Sequence, residues 1–231
     1  SFPTRRSSDL HYRLTPEDLR ARVLYKDKLI LVVNKPPAIP VHPGPRGYES
    51  LEDHFGTLKF ELPEPPALAH RLDRDTSGCL ILGRNKKALR RLGKLFETGA
   101  IKKTYWAIVH GAPAGDAGVI DGWLEKVKTP KGWYMKVCGE KEGAQRAVTE
   151  WKVMKREDGW AWLECTPKTG RTHQIRVHCL SLGCPIIGDW VYGSQAGDAA
   201  LPLLHLHARS LEIPLYEGEA PIRVEAPVPG H

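Results

Sequence analysis

The sequence predicts an α+β fold, and three observations lead there. Segments rich in aromatic and β-branched residues, at 103–111 (KTYWAIVHG), 146–154 (RAVTEWKVM) and 160–167 (WAWLECTP), are parted by Gly and Pro clusters, the pattern of short strands. Residues 85–96 instead set Ala88, Leu89, Leu92, Leu95 and Phe96 at helical spacing, with Lys86, Lys87, Arg90, Arg91 and Lys94 on the other face. The tail of TGRTHQIRVHCLSLG, 169–183, has the length and the leucines of a second helix, closed by Gly183. Strands that follow one another without a regular helix between them imply a mixed, mostly antiparallel sheet with helices packed beside it.

The elements follow in chain order. The first 15 residues, SFPTRRSSDLHYRLT, carry three arginines and no sustained apolar period, so residues 1–20 are expected to be an arm or leader outside the fold, and 21–231 the folded domain. VLYKDKLILVVNKP, from Val23, reads as strand, turn, strand, stopped by Pro36 and Pro37. PPAIPVHPGPRG, 36–47, is an ordered surface loop of the kind that rims sites. The polar run HRLDRDTSG, 70–78, leads directly into an apolar strand, CLIL. A Gly-Ala loop at 111–118 separates two strand regions, and LHLHARSLEIP returns the chain to short strands. No internal repeat or heptad pattern is visible.

Composition narrows the class of protein. The 231 residues, 41% hydrophobic and 26% charged, suit one domain with a buried core. The longest apolar runs, at 29–33 and 105–109, are five residues, whereas a spanning helix needs about 20. Five cysteines form no CxxC pair, and no signal-peptide pattern is present, so the cytoplasm is the expected compartment. Lys plus Arg number 34 against 27 Asp plus Glu, a net charge of +7, which favours a polyanionic partner without naming one. The basic face of 85–96 fits either a solvated surface or one that meets phosphates.

Two polar clusters hold the candidate chemistry. Setting two arginines, two aspartates and a histidine beside a core strand is costly unless they pair, so HRLDRDTSG is either an ion-pair network capping a sheet or a site. TPKTGRTHQIRVH, 166–178, adds Lys168, Arg171, His173, Arg176 and His178. An arginine of the second cluster beside an aspartate of the first would keep that carboxylate ionised and fixed in angle, as a nucleophile or base requires. The segment DRDT lacks the preceding apolar strand and the following Thr or Val of aspartate-based phosphatases, and HRLD comes without the glycine-rich loop or DFG of a kinase. The histidines and cysteines at 173, 178, 179, 184, 205 and 207 match no established zinc spacing.

His70-Arg71-Leu72-Asp73 with Thr76-Ser77-Gly78, then Lys103-Thr104-Tyr105, then GRTHQIRVH at 170–178, resemble in order and spacing the motifs of the RluA-type pseudouridine synthases. Asn34-Lys35-Pro36, the stretch GCPIIGDWVYG at 183–193, and Leu206-His207-Ala208 with Leu211 are similar to further family segments, so the resemblance covers about residues 23–216. It implies the pseudouridine synthase fold, a long bent mixed sheet with flanking helices and a catalytic cleft across its middle. It also implies isomerisation of specific uridines in structured RNA, ribosomal or transfer, by a monomer that needs no cofactor, metal or membrane. An S4-type RNA-binding module, carried by many relatives at this end, is not expected here. By the same resemblance Asp73 is the catalytic carboxylate, attacking the ribose C1′ or the uracil or assisting departure of the base. Arg176 would pair with Asp73, Arg71 would enter the RNA where the uridine has left, Tyr105 would stack on the uracil, and Leu206 would line the pocket. Asp75 is expected in a surface salt bridge or turn cap, and Thr76 and Ser77 in the turn before the strand.

Overall fold

In the computed structural model of the chain the described residues are 13–43, 49–130, 132–193 and 203–230. Residues 1–12 of the expected arm and 44–48 of the proline-rich loop lie outside them. The chain forms two compact units, one spanning residues 104–206 and the other built from the described residues up to 103 together with 207–230.

The second of these units begins with helix α1 (Pro16–Ala21), inside the stretch expected to be an arm. Thr15 caps it, accepting from the Asp18 N–H at 3.1 Å while the Asp18 carboxylate accepts from the Thr15 N–H at 3.2 Å. Leu14 and Leu19 are buried, and Arg20 Nε donates to the Thr57 carbonyl of a 3-10 helix, Glu52–Leu58. One leucine per turn suffices to dock six residues, too short a pattern to register as an apolar period. Strands β1 (Val23–Lys26) and β2 (Ile30–Lys35) are an antiparallel hairpin. Asp27 closes its turn, one carboxylate oxygen accepting from the N–H groups of Leu29 and Ile30 at 2.7 and 2.8 Å.

β3 (Ala67–Leu68) and β2 both pair antiparallel with β4 (Ser77–Gly83), the CLIL strand, every residue of which is buried. Strands buried on both faces read as continuous apolar runs rather than alternating ones. α2 (Lys86–Glu97) follows, with Asn85 as N-cap accepting from the Ala88 N–H at 2.9 Å. Its Ala88 and Leu92 are buried, whereas Lys86, Lys87, Arg90 and Lys94 are exposed. At the other end of the chain β10 (Leu206–Ile213) runs parallel to β4 through the pairs His207 with Ser77 and Ala208 with Gly78, and antiparallel to β11 (Ile222–Glu225). Gly78 has φ 107, and a Cβ there would strike the Ala208 carbonyl, so this crossing accepts no other residue. Ile30, Val32, Cys79, Ile81, Leu92 and Leu211 form the core.

The unit of residues 104–206 is an antiparallel sheet covered by one helix. From β5 (Lys102–His110) the pairing runs to β9 (Trp160–Pro167), to β8 (Gln145–Glu157), to β6 (Ala117–Thr129) and to β7 (Gly132–Cys138). Strands were expected in β5, β8 and β9; the β6–β7 hairpin escaped notice because its residues alternate lysine with half-exposed aromatic and apolar side chains. Helix α3 (Gln174–Ser181) packs on the sheet, Ile175 and Cys179 against Ala107, Leu163 and Cys165, and Val177 against Leu124, Met135 and Ala147. Gly183, φ 73, ends it: the Cys184 N–H reaches the Cys179 carbonyl at 3.1 Å and the Gly183 N–H the Leu180 carbonyl at 2.8 Å, the paired bonds of a Schellman motif.

Candidate active site

Of the five residues singled out by sequence, Arg71 and Asp73 belong to one unit, and Tyr105, Arg176 and Leu206 to the other. Arg71 is exposed, Leu72 is buried and Asp73 is half-buried on the loop leading into β4. That loop is fastened at several points. The Thr76 N–H returns to the Asp73 carbonyl at 3.2 Å, making a turn, and the Lys35 ammonium at the end of β2 donates to the carbonyls of Arg74 at 2.8 Å, Thr76 at 2.9 Å and its own neighbour Pro36 at 2.8 Å. Lys35 is wholly buried, and three carbonyls match the three N–H bonds of its protonated form. Burial pushes its pKa down to about 7, opposed by the nearby carboxylates of Asp75 and Asp73.

His70 fastens the start of the loop. Its Nε2 accepts from the Ile81 N–H at 2.9 Å, and its ring packs on Phe96 of α2 with centroids 4.7 Å apart. Burial, and then the Lys103 ammonium, push its pKa down to about 3, in keeping with a nitrogen that must stay an acceptor. At the loop's other end the Ser77 hydroxyl meets His207 Nδ1 at 2.8 Å, both side chains buried. His207 Nε2 faces the Ala226 carbonyl at 3.4 Å, which places the proton there and makes Ser77 the donor to Nδ1. Ser77 therefore ties β4 to β10 instead of bonding the turn. Asp75, expected at the surface, has one carboxylate oxygen that is buried without a hydrogen bond, 3.9 Å from the Arg74 guanidinium.

In the other unit Leu206 is buried in the cluster of Ile175 and Cys179, and half-buried Tyr105 packs against it. Arg176 is 5% exposed and is gripped by Asp189, Nε to Oδ2 and Nη2 to Oδ1 at 2.7 Å each. Asp189 is buried too, and its Oδ1 also accepts from the N–H groups of Val191 and Tyr192. The fork-to-fork pair fixes both the position and the plane of the guanidinium. The motifs supplied no role for Asp189, although it lies inside the stretch GCPIIGDWVYG; a buried aspartate one residue past a glycine gives no periodic signal. Gln174 locks the preceding loop to β8, accepting from the Thr169 hydroxyl and the Arg171 N–H and donating to the Val148 carbonyl and the Thr149 hydroxyl. His178 Nδ1 shares that hydroxyl at 2.8 Å, and burial pushes its pKa down to about 4.

One unit thus carries Asp73 on a pinned loop, and the other carries Arg176 fixed by a buried carboxylate and Tyr105 packed on an apolar cluster, on a mixed α+β scaffold that is mostly antiparallel. Comparison with known proteins shows the scaffold to be the pseudouridine synthase fold. A family model described as RNA pseudouridylate synthase matches residues 29–181. The chain is 44% identical over 212 residues to an uncharacterized RNA pseudouridine synthase of Zymomonas mobilis, covering 91% of this chain and 95% of that protein. It is 36% identical over 208 residues to the ribosomal large subunit pseudouridine synthase D of Borreliella burgdorferi, covering 87% of this chain but only 63% of that one. Among solved structures, human RNA pseudouridylate synthase domain containing 4 superposes with a TM-score of 0.78 at 30% identity, over 93% of this chain and 91% of that chain. The chain belongs to the RNA pseudouridylate synthase family and is of the RluA type that its motifs resemble.

Proposed function

We propose that this chain isomerises specific uridines of ribosomal or transfer RNA to pseudouridine, with Asp73 as its catalytic residue. The observation that carries the reading is the loop of Asp73: a half-buried carboxylate on a segment held by buried bonds from His70, Lys35 and Ser77, so that it is presented at a fixed place before substrate arrives. The reaction breaks the bond from ribose C1′ to uracil N1, turns the base and joins C1′ to C5, after which C5 loses its proton and N1 gains one. No atom is gained or lost, so no cofactor or metal has a step to perform. The uridine must leave its stack, at a cost of a few kcal/mol. In this reading Arg71, exposed two residues before Asp73, takes the vacated place in the RNA, Tyr105 stacks on the uracil, and Leu206 lines the floor beneath it.

The exposed lysines and arginine of α2 support an RNA partner, because Phe96 on the same helix packs against His70 at the root of the Asp73 loop. Similarity to the ribosomal large subunit pseudouridine synthase D of Borreliella favours ribosomal over transfer RNA as the substrate to test first. A monomer acting in the cytoplasm completes the proposal. The test is tritium release from RNA labelled at uracil C5, run beside an RNA-binding titration. Asp73→Asn keeps the shape and removes the charge, so turnover should fall to background while affinity stays within a few-fold. An Asn variant that releases tritium at the parental rate would remove Asp73 from its role.

A further inference from the structure

The β6–β7 hairpin carries a set of side chains that the reaction above does not use. Met135 of β7 is buried against α3, and Trp133, two residues earlier and so on the same face, is 42% exposed. Its strand partner is Lys128, and the ammonium of Lys126 lies 4.1 Å from the centre of its ring. Both lysines are exposed, and Val127 between them and Glu125 before them point to the opposite face by alternation. The inner side of Trp133 stacks on His173, centroids 5.1 Å apart and planes 23° from parallel. His173 in turn meets the Tyr192 hydroxyl at 2.7 Å, and the Arg176 guanidinium lies 5.1 Å from the centre of the Tyr192 ring. Trp133 is therefore the outer end of a row of rings that runs, contact by contact, to Arg176.

The backbone is bent to make that row. His173 is the N-cap of α3, yet it has φ 54, a left-handed conformation disfavoured in a residue with a Cβ, and its side chain makes no capping bond. An exposed indole flanked by two lysines, with no carboxylate on that face among the described residues of β6 and β7, has the chemistry that single-stranded nucleic acid needs: a ring for a base and cations for the phosphates on either side.

We infer that the exposed end of this hairpin face holds an unstacked nucleotide neighbouring the target uridine, with its base stacked on Trp133 and its phosphates against Lys126 and Lys128. The inference rests on the RNA reading above and adds a contact residue to it. Lys126 over the indole is a weak attachment at an exposed site, readily exchanged for a stacked base as the ammonium moves to a phosphate.

The test uses poly(U) as a single-stranded probe, heparin as a polyanion without bases, and tritium release from C5-labelled total RNA. Trp133→Ala should weaken poly(U) binding by about 5- to 100-fold, and Trp133→Phe by no more than about 3-fold, because the phenyl ring can still stack. Heparin affinity should be the same in both as in the parent. Lys126→Ala with Lys128→Ala should lower the slope of log affinity against log salt by about 1.4, two phosphates at about 0.7 each. Poly(U) affinity unchanged in Trp133→Ala overturns the inference, as does an equal loss of heparin affinity, which would make Trp133 structural. If the parent releases tritium and Trp133→Ala matches it in both rate and affinity, this contact alone falls. If the parent neither binds RNA nor releases tritium, the RNA reading falls and takes the contact with it.

Discussion

Each of the two units buries a cation next to a residue on which the proposed chemistry depends, and they do so in opposite ways. Lys35 is satisfied by three neutral carbonyls, two of them on the Asp73 loop, so the ammonium serves as a knot that ties that loop to β2. Arg176 is gripped by the Asp189 carboxylate, which is itself held by two backbone N–H groups. The first arrangement fixes a stretch of backbone through neutral acceptors; the second fixes the angle of a guanidinium through a carboxylate. A loop that must present a carboxylate gains from the former, because two of its carbonyls are tied to β2. A guanidinium whose plane must be fixed gains from the latter.

The contrast predicts different costs when each is broken. Asp189→Asn removes the carboxylate that grips buried Arg176 with both oxygens and should lower unfolding stability by up to about 3–5 kcal/mol. The double change Arg176→Met with Asp189→Leu should recover most of that in urea unfolding and recover no tritium release. If the single variant unfolds at the parental urea concentration, the pair is not the clamp described. Lys35→Met should cost less, about 2 kcal/mol: three carbonyls lose their donor, but an expensive buried charge goes with it. Its loosened loop should appear in kcat more than in RNA affinity, and an unchanged kcat would show that the Asp73 loop holds its place without the knot.

What the sequence disclosed and what it hid follow the same division. Runs with a period or a punctuation mark were legible: the β1–β2 hairpin, the buried CLIL strand, α2 with its basic face, and α3 closed by Gly183. So were Arg71, Asp73, Tyr105, Arg176 and Leu206 as candidates, through motif resemblance. The partners of these residues were not. Asp189 is 13 positions from Arg176, and Ser77 is 130 from His207, separations that only the folded chain closes. Lys35 was visible as part of Asn34-Lys35-Pro36, but nothing local says that a lysine ending an apolar strand will turn inward to three carbonyls. The short helix α1 and the hairpin bearing Trp133 were missed because single buried leucines and half-exposed strands leave little pattern to read.

The smallest predicted effect separates the units by pH. His70 in one and His178 in the other are both held neutral, with pKa values pushed down to about 3 and about 4, chiefly by burial. A group whose pKa is lower in the folded chain than its ordinary 6.5 adds stability that is complete above about pH 6.5 and is lost as the pH falls toward the folded value. The unfolded chain takes up the proton first, so acid pulls toward unfolding. At pH 5.5, one unit below the ordinary value, the loss from His70 should be about 1 kcal/mol. His70→Gln retains an acceptor for the Ile81 N–H and removes the titration, so its unfolding free energy should fall less steeply between pH 7 and pH 5.5 than that of the parent. The slope that remains in the variant includes the share of His178, whose Nδ1 is bound to the Thr149 hydroxyl and whose Nε2 is buried. Urea titrations of both proteins at the two pH values give the difference directly. Parallel losses would mean that His70 accepts a proton in the folded chain as easily as in the unfolded one, and its bond to Ile81 would then not be what secures the root of the Asp73 loop.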